Sequence, residues 1–403
     1  MKFKRPLIWL AIWLAFSCAT RADLPSLFTN ATPGAQPLPR RPSIILVVAD
    51  GLGYGDLSCY GQTNFQTPSL DRLAAEGVRF TNYYAADTAN LPGWAALLLG
   101  RDAEHLRQSA DATVPLAPGE ATVAQILQPA GYRTGFIGEW DLGDENSSGA
   151  PWKKGFNEFA GYLGPADAAN FYADYIWSLP PHYSYDQASG KFIQWDPSRG
   201  LPSAGKEMIY VNTKGKNEYI PDLLAKASLN FIKDNQPDQF NHYRPFFLVL
   251  NYPLPGAGNG TVPTDAPYSD EPWPQAQKNK AAMISRLDGF ISQLEEQLPK
   301  FGLTNDVVLF FTSAAGPRTN GGVDPNFFHS IAPSNPLRVP MIVRWTGTLP
   351  AGAVSAVPWG AADFLPTAAQ IAVIPPPGGI DGASLLPSLA ALGPTNRVSR
   401  LKP

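Results

Sequence analysis

The chain is predicted to be an α/β protein, with a mostly parallel central sheet covered by helices on both faces. Three observations predict it. Ser43 to Ala49 is an unbroken run rich in β-branched residues, the pattern of a strand buried on both sides. Helical and strand patterns then alternate along the chain, which calls for crossover connections and parallel pairing. Lys278 to Lys300 carries Ile284, Leu287, Ile291, Leu294 and Leu298 at helical spacing, giving one long amphipathic helix. The other elements follow in order. Thr67 to Gly77 has Pro68 near its start and Gly77 at its end, a helix with its stop. Thr122 to Gln128 is helical with Gly131 after it, and Tyr132 to Ile137 is a strand. Asp222 to Asp234 is a helix and Phe246 to Tyr252 a strand. Val307 to Thr312 and Pro340 to Trp345 are strands, and Ala362 to Ala372 is a helix. Residues 144–215, aromatic and rich in Gly and Pro, break the alternation and are expected to form an elaborated loop region over one end of the sheet.

Composition excludes several functions. With 31 Lys+Arg against 34 Asp+Glu the net charge is −3, so no basic footprint for nucleic acid exists. Two cysteines cannot build a disulfide scaffold or a thiolate zinc cluster. Lys2, Lys4 and Arg5, the apolar run Leu7 to Phe16 and the small residues ending at Ala22 have the layout of a secretory signal over 1–22. That run falls short of the ~20 apolar residues a membrane span needs, and no later segment supplies one. A secreted or periplasmic protein is expected, with lipid attachment at Cys18 the less favoured route because Ala15 and Phe16 make a poor lipobox. Residues 23–42 form a Pro-rich linker, 43–390 the α/β domain and 391–403 a short tail.

In open α/β sheets ligands bind beyond the carboxyl ends of the strands. Here those ends are Asp50-Gly51, Gly138-Glu139-Trp140-Asp141, Asn251-Tyr252-Pro253 and Ser313-Ala314-Ala315-Gly316. The edge offers three carboxylates (Asp50, Glu139 and Asp141), several aromatics, and no nucleophile with a partner base. Gly51 to Gly55 lacks the spacing and following helix of a dinucleotide loop.

Arg41 to Asp56 resembles the opening of the formylglycine-dependent, arylsulfatase-like sulfatases of the alkaline phosphatase superfamily. Thr67 to Asn82 (TPSLDRLAAEGVRFTN), Ala95 to Arg101 (AALLLGR) and Gly131 to Gly143 (GYRTGFIGEWDLG) continue the resemblance. Arg338 to Trp345 (RVPMIVRW) and Ile380 to Pro387 (IDGASLLP) match late family segments. The resemblance implies the superfamily's α/β fold and hydrolysis of sulfate esters by a hydrated formylglycine beside calcium. It also implies a smaller C-terminal domain, which is expected to be missing here.

The chain departs from the family where that chemistry resides. The C/S-x-P-x-R motif corresponds to Asn90-Leu91-Pro92-Gly93-Trp94, so Asn90 stands at the nucleophile's position and Trp94 at the arginine's. An amide cannot become the aldehyde hydrate. Of the calcium ligands only Asp50 survives; Gly51, Ala314 and Ala315 occupy the others' places. The family's Lys and His fall on Glu139 and Asp141, a further histidine on Gly256, and His329 is nearest to a late lysine. No cofactor is therefore expected. The sequence predicts a sulfatase-family protein without sulfate turnover, with Asp50, Asn90, Trp94, Glu139, Trp140 and Asp141 as its candidate pocket. A carbohydrate or sulfated glycan is the expected partner; the oligomeric state stays open. The alternatives are an active sulfuric ester or other ester hydrolase with rearranged chemistry, and a decaying truncated product. For Asp50, Glu139 and Asp141, a cation or amine site competes with solvated or turn-capping carboxylates. For Trp94, Trp140 and Trp177, a sugar-stacking platform competes with core packing. Cys59 is expected to be a buried small hydrophobe, and His105, His182 and His242 loop or surface residues.

Overall fold

The computed structural model describes residues 40–87, 90–109, 115–164, 171–173, 175–179, 183–186, 191–196, 201–204, 209–212, 218–238, 243–256, 260–317, 327–328 and 336–392. The signal over 1–22, most of the linker, Cys18, His182, His242, His329 and the tail beyond 392 lie outside the described residues, as does the side chain of Asn90.

Fifteen strands are described in chain order. They are β1 (Ser43–Asp50), β2 (Val78–Phe80), β3 (Tyr83–Tyr84), β4 (Arg133–Glu139), β5 (Glu158–Tyr162), β6 (Tyr175–Leu179), β7 (Tyr183–Asp186) and β8 (Lys191–Asp196). Then come β9 (Leu201–Ala204), β10 (Ile209–Asn212), β11 (Phe246–Pro255), β12 (Val307–Ser313), β13 (Met341–Arg344), β14 (Ala353–Ser355) and β15 (Trp359–Gly360). Ten of them form the main sheet in the order β10-β6-β5-β4-β11-β1-β12-β13-β2-β14. The central run β5-β4-β11-β1-β12 is parallel throughout. Antiparallel pairings lie outside it, at β5–β6, β6–β10, β12–β13 and β13–β2.

Side-chain alternation along the central strands builds two cores. Ile44, Leu46 and Val48 of β1 join Phe247, Val249, Val308 and Phe310 on one face. Helices Asn90–Leu99, Val123–Leu127 and Phe364–Ile371 cover that face. Ile45, Val47 and Ala49 join Leu248, Leu250, Leu309 and Phe311 on the other, under helices Pro68–Glu76, Ile220–Asp234 and Gln275–Lys300. Each fully buried aliphatic side chain contributes about 1.5–3 kcal/mol. An apolar residue at every position from Ile44 to Ala49 is what two covered faces require.

Element boundaries differ from expectation where proline intervenes. The helix after Thr122 starts with a capping box, since the Thr122 hydroxyl accepts from Gln125 N and the Gln125 amide accepts from Thr122 N. It gives way to a 3-10 turn at Gln128–Ala130 because Pro129 cannot continue the hydrogen-bond ladder. Strand β13 begins at Met341, one residue after Pro340. Residues 144–215 depart from their loop-rich expectation. Within them β5, β6 and β10 extend one edge of the main sheet, and β7, β8 and β9 form a separate three-stranded sheet. Alternating stretches such as Tyr175–Leu179, with its Tyr, Ile and Trp, suit a pleated surface.

Candidate functional site

The C-terminal ends of β4, β11, β1 and β12 stand side by side, so Glu139, Asn251 to Pro255, Asp50 and Ser313 meet at one edge. Main-chain contacts stitch this edge together. Ser313 Oγ accepts from Leu52 N at 3.0 Å and lies 3.1 and 2.7 Å from the carbonyls of Ala49 and Ala315. Ala314 N donates to Ala49 O at 2.9 Å. Asn251 Nδ2 donates to Glu139 O at 2.6 Å. Asp50 and Glu139 are buried, at 1% and 5% exposure. Asp141, in a left-handed conformation with φ 57°, prolongs the β4–β5 pairing through its N–H to Leu163 O at 3.1 Å.

Two glycines let backbone close in. A Cβ on Gly93 would sit 1.8 Å from the Ala314 carbonyl oxygen, so the helix Asn90–Leu99 rests directly on the end of β12. A Cβ on Gly256 would sit 2.7 Å from Asp50 O and 2.8 Å from its Oδ2, so main chain lies against the Asp50 carboxylate. Both contacts exclude any larger side chain at these places.

The tryptophans belong to the core. Trp94 and Trp140 are 1% and 0% exposed, and their ring centroids lie 6.4 Å apart, edge to face. Both pack on Phe136, at 5.3 and 5.0 Å. Each buried indole N–H finds an acceptor: Trp94 Nε1 donates to Trp140 O at 3.0 Å and Trp140 Nε1 to Gly149 O at 2.8 Å. Trp177 is also in this cluster. The sugar-stacking alternative therefore fails for all three, because each is buried within the core cluster. The candidate pocket over Asp50, Asn90, Trp94, Glu139, Trp140 and Asp141 thus contains two residues that are interior packing. Cys59 is partly buried; its N–H donates to Asp71 Oδ1 at 2.8 Å. Burial first, then the neighbouring Asp71 carboxylate, pushes its thiol up to about 12, which leaves it unreactive at neutral pH.

A parallel sheet with acidic strand ends and helices on both faces is the architecture of the alkaline phosphatase superfamily. Within it, this chain belongs to the sulfatase family, whose family model, Sulfatase, matches residues 42–374. Steryl-sulfatase of Mus musculus is 30% identical over 453 aligned positions, covering 96% of this chain and 70% of that protein. Arylsulfatase A of Homo sapiens is 29% identical over 387, covering 89% and 70%. Among solved structures, Ps i-CgsB in complex with k-i-k-neocarrahexaose superimposes with a TM-score of 0.69 at 26% identity, covering 87% of this chain and 76% of that one.

The donor set at the strand ends does not fit the calcium ion that the resemblance implies. A calcium ion takes about six to eight oxygens. Asp50 supplies a carboxylate, whereas Gly51, Ala314 and Ala315 supply no side-chain oxygen. The nearby Ser313 hydroxyl is engaged with three main-chain groups, and the Ala314 carbonyl is covered by Gly93. What the edge presents, among the described residues, is the carboxyl groups of Asp50 and Glu139 beside buried backbone.

Sequence reasoning missed the roles of Gly93, Gly256 and Ser313. A glycine three residues after Asn90, in the first turn of a helix, was the available signal, since mid-helix glycine costs stability unless something approaches closely. It also missed that His105 meets two carboxylates, one of them from a distant segment. His105 Nδ1 lies 2.8 Å from Asp381 Oδ2 and 3.6 Å from Asp102 Oδ1.

Proposed function

We propose that this chain is a secreted sulfatase-family protein that does not turn over sulfate esters and acts by binding a carbohydrate. The observation that carries the first half is the closure of the strand-end edge: Ala314 O against Gly93 and Gly256 against Asp50, with an amide at the nucleophile's position. Neither calcium nor formylglycine has the side chains it needs there. Glu139 and Asp141 stand where the resemblance places a lysine and a histidine, and a carboxylate does not stabilise a sulfate as a cation does.

The carbohydrate half is supported by the neocarrahexaose complex of Ps i-CgsB and by aromatic side chains other than those first expected. Tyr268 and Trp273 lie in the connection from β11 to helix Gln275–Lys300. Their rings stack at 5.2 Å, and Trp273 meets Phe327 edge to face at 4.9 Å. All three are only partly buried. The basic, apolar and small-residue start of the chain supports secretion.

The mature protein, with and without calcium, is to be incubated with aryl sulfates and sulfated polysaccharides. No sulfate release is expected. Turnover that Asp50→Asn abolishes would overturn the inactive reading. Calorimetric titration with neocarrahexaose is expected to give saturable binding that Trp273→Ala weakens by about tenfold, the order lost with one stacking partner.

A further inference from the structure

A second polar locus lies outside the strand-end edge. Asp102 precedes the helix Ala103–Ser109, His105 lies within it, and Asp381 comes from a segment 276 residues beyond His105. One imidazole nitrogen and one oxygen from each carboxylate all lie within 4.8 Å of one another. The distances from His105 Nδ1, 2.8 Å to Asp381 Oδ2 and 3.6 Å to Asp102 Oδ1, bracket the ~3–3.5 Å separating donors that share a first-row ion at ~2.0–2.2 Å. The side chains are 59%, 54% and 25% exposed for His105, Asp102 and Asp381, so an ion can enter and complete its shell with water.

The same carboxylate oxygens that face His105 also accept main-chain hydrogen bonds, which fix their orientation. Asp102 Oδ1 accepts from Glu104 N and His105 N at 3.0 Å each. Asp381 Oδ2 accepts from Asp102 N at 2.9 Å, and Asp381 N donates to Gly100 O at 2.9 Å. Fixed second partners of this kind orient metal ligands. We propose that Asp102, His105 and Asp381 form a binding site for a divalent transition-metal ion, zinc being the ion their chemistry suits. The nitrogen donor separates this site from the all-oxygen chemistry of calcium or magnesium. Binding needs the Nδ1 lone pair, so any proton on Nδ1 is released to solvent as the ion takes its place. The bound ion would tie the helix Ala103–Ser109 to the segment around Asp381.

The test is zinc titration of the tag-free mature protein by calorimetry, with thermal unfolding alongside. The expected result is one equivalent bound in the micromolar range, with Tm rising as zinc is added because the ion binds the folded state. His105→Gln preserves a polar side chain at an exposed position while removing the imidazole; it is expected to weaken binding by more than about tenfold and to abolish the Tm rise. Asp381→Asn is expected to weaken it as well. No binding at millimolar zinc overturns the proposal. An equivalent retained undiminished in His105→Gln overturns it too, because the ion then sits on other ligands.

Discussion

The strand-end edge and the Asp102–His105–Asp381 locus both gather carboxylates, and they differ in what surrounds them. At the strand ends Asp50 and Glu139 are buried, main chain presses on Asp50 through Gly256, and the nearest indoles are core packing. At the second locus an imidazole joins the carboxylates, and all three side chains reach solvent. The difference teaches that a family's position for a site does not guarantee one. Suitable donors and an entry path make a binding site, and on the proposal above these are sought away from the strand ends, at Asp102, His105 and Asp381.

The comparison can be broken most forcefully at Trp94. Trp94→Ala removes a fully buried indole and strands the Trp140 carbonyl, and is expected to cost about 3–5 kcal/mol in urea unfolding. A cost under 1 kcal/mol would mean the indole is not core and the edge is open. Next comes Gly93→Ala, whose methyl would collide with the Ala314 carbonyl; about 2–3 kcal/mol is expected. A neutral or stabilising result would remove the argument that backbone has closed the edge. The smallest effect belongs to the open locus. The hydrogen bond to Asp381, then that carboxylate's charge, raises the His105 pKa above its ordinary value. The ion pair therefore supports the fold fully below about pH 6.5 and its contribution fades as pH rises through the raised value. NMR titration of the histidine ring protons is expected to place His105 above the ordinary range in the metal-free protein, and Asp381→Asn to bring it down. An unshifted midpoint would remove the His105–Asp381 pairing.

Much of the scaffold is legible in the sequence. The all-apolar run of β1 required two covered faces, and both cores are present. The long helix was marked by Ile284, Leu287, Ile291, Leu294 and Leu298, all of which are buried on one face. Residues 144–215 were the exception. Strands at a sheet edge are stabilised by pairing with distant partners, such as Tyr175–Leu179 with both Glu158–Tyr162 and Ile209–Asn212, and Gly and Pro around them mask the pattern. At the site, substitutions such as Asn90, Trp94, Gly51 and Ala314 were visible by position, because each could be placed on a motif. Their consequence was not. Whether Trp94 faced a pocket or the core depended on Phe136 and Trp140, which come from a different strand and its following loop.

The sequence by itself determined the α/β class and the family, because these are local matters of periodicity and residue identity. The tertiary structure alone decided that the tryptophans pack inward and that Gly93 and Gly256 admit backbone against Ala314 and Asp50. It also brought His105 to within hydrogen-bond distance of Asp381. Each of these is a contact between segments far apart in the chain, where close packing and excluded volume set the outcome.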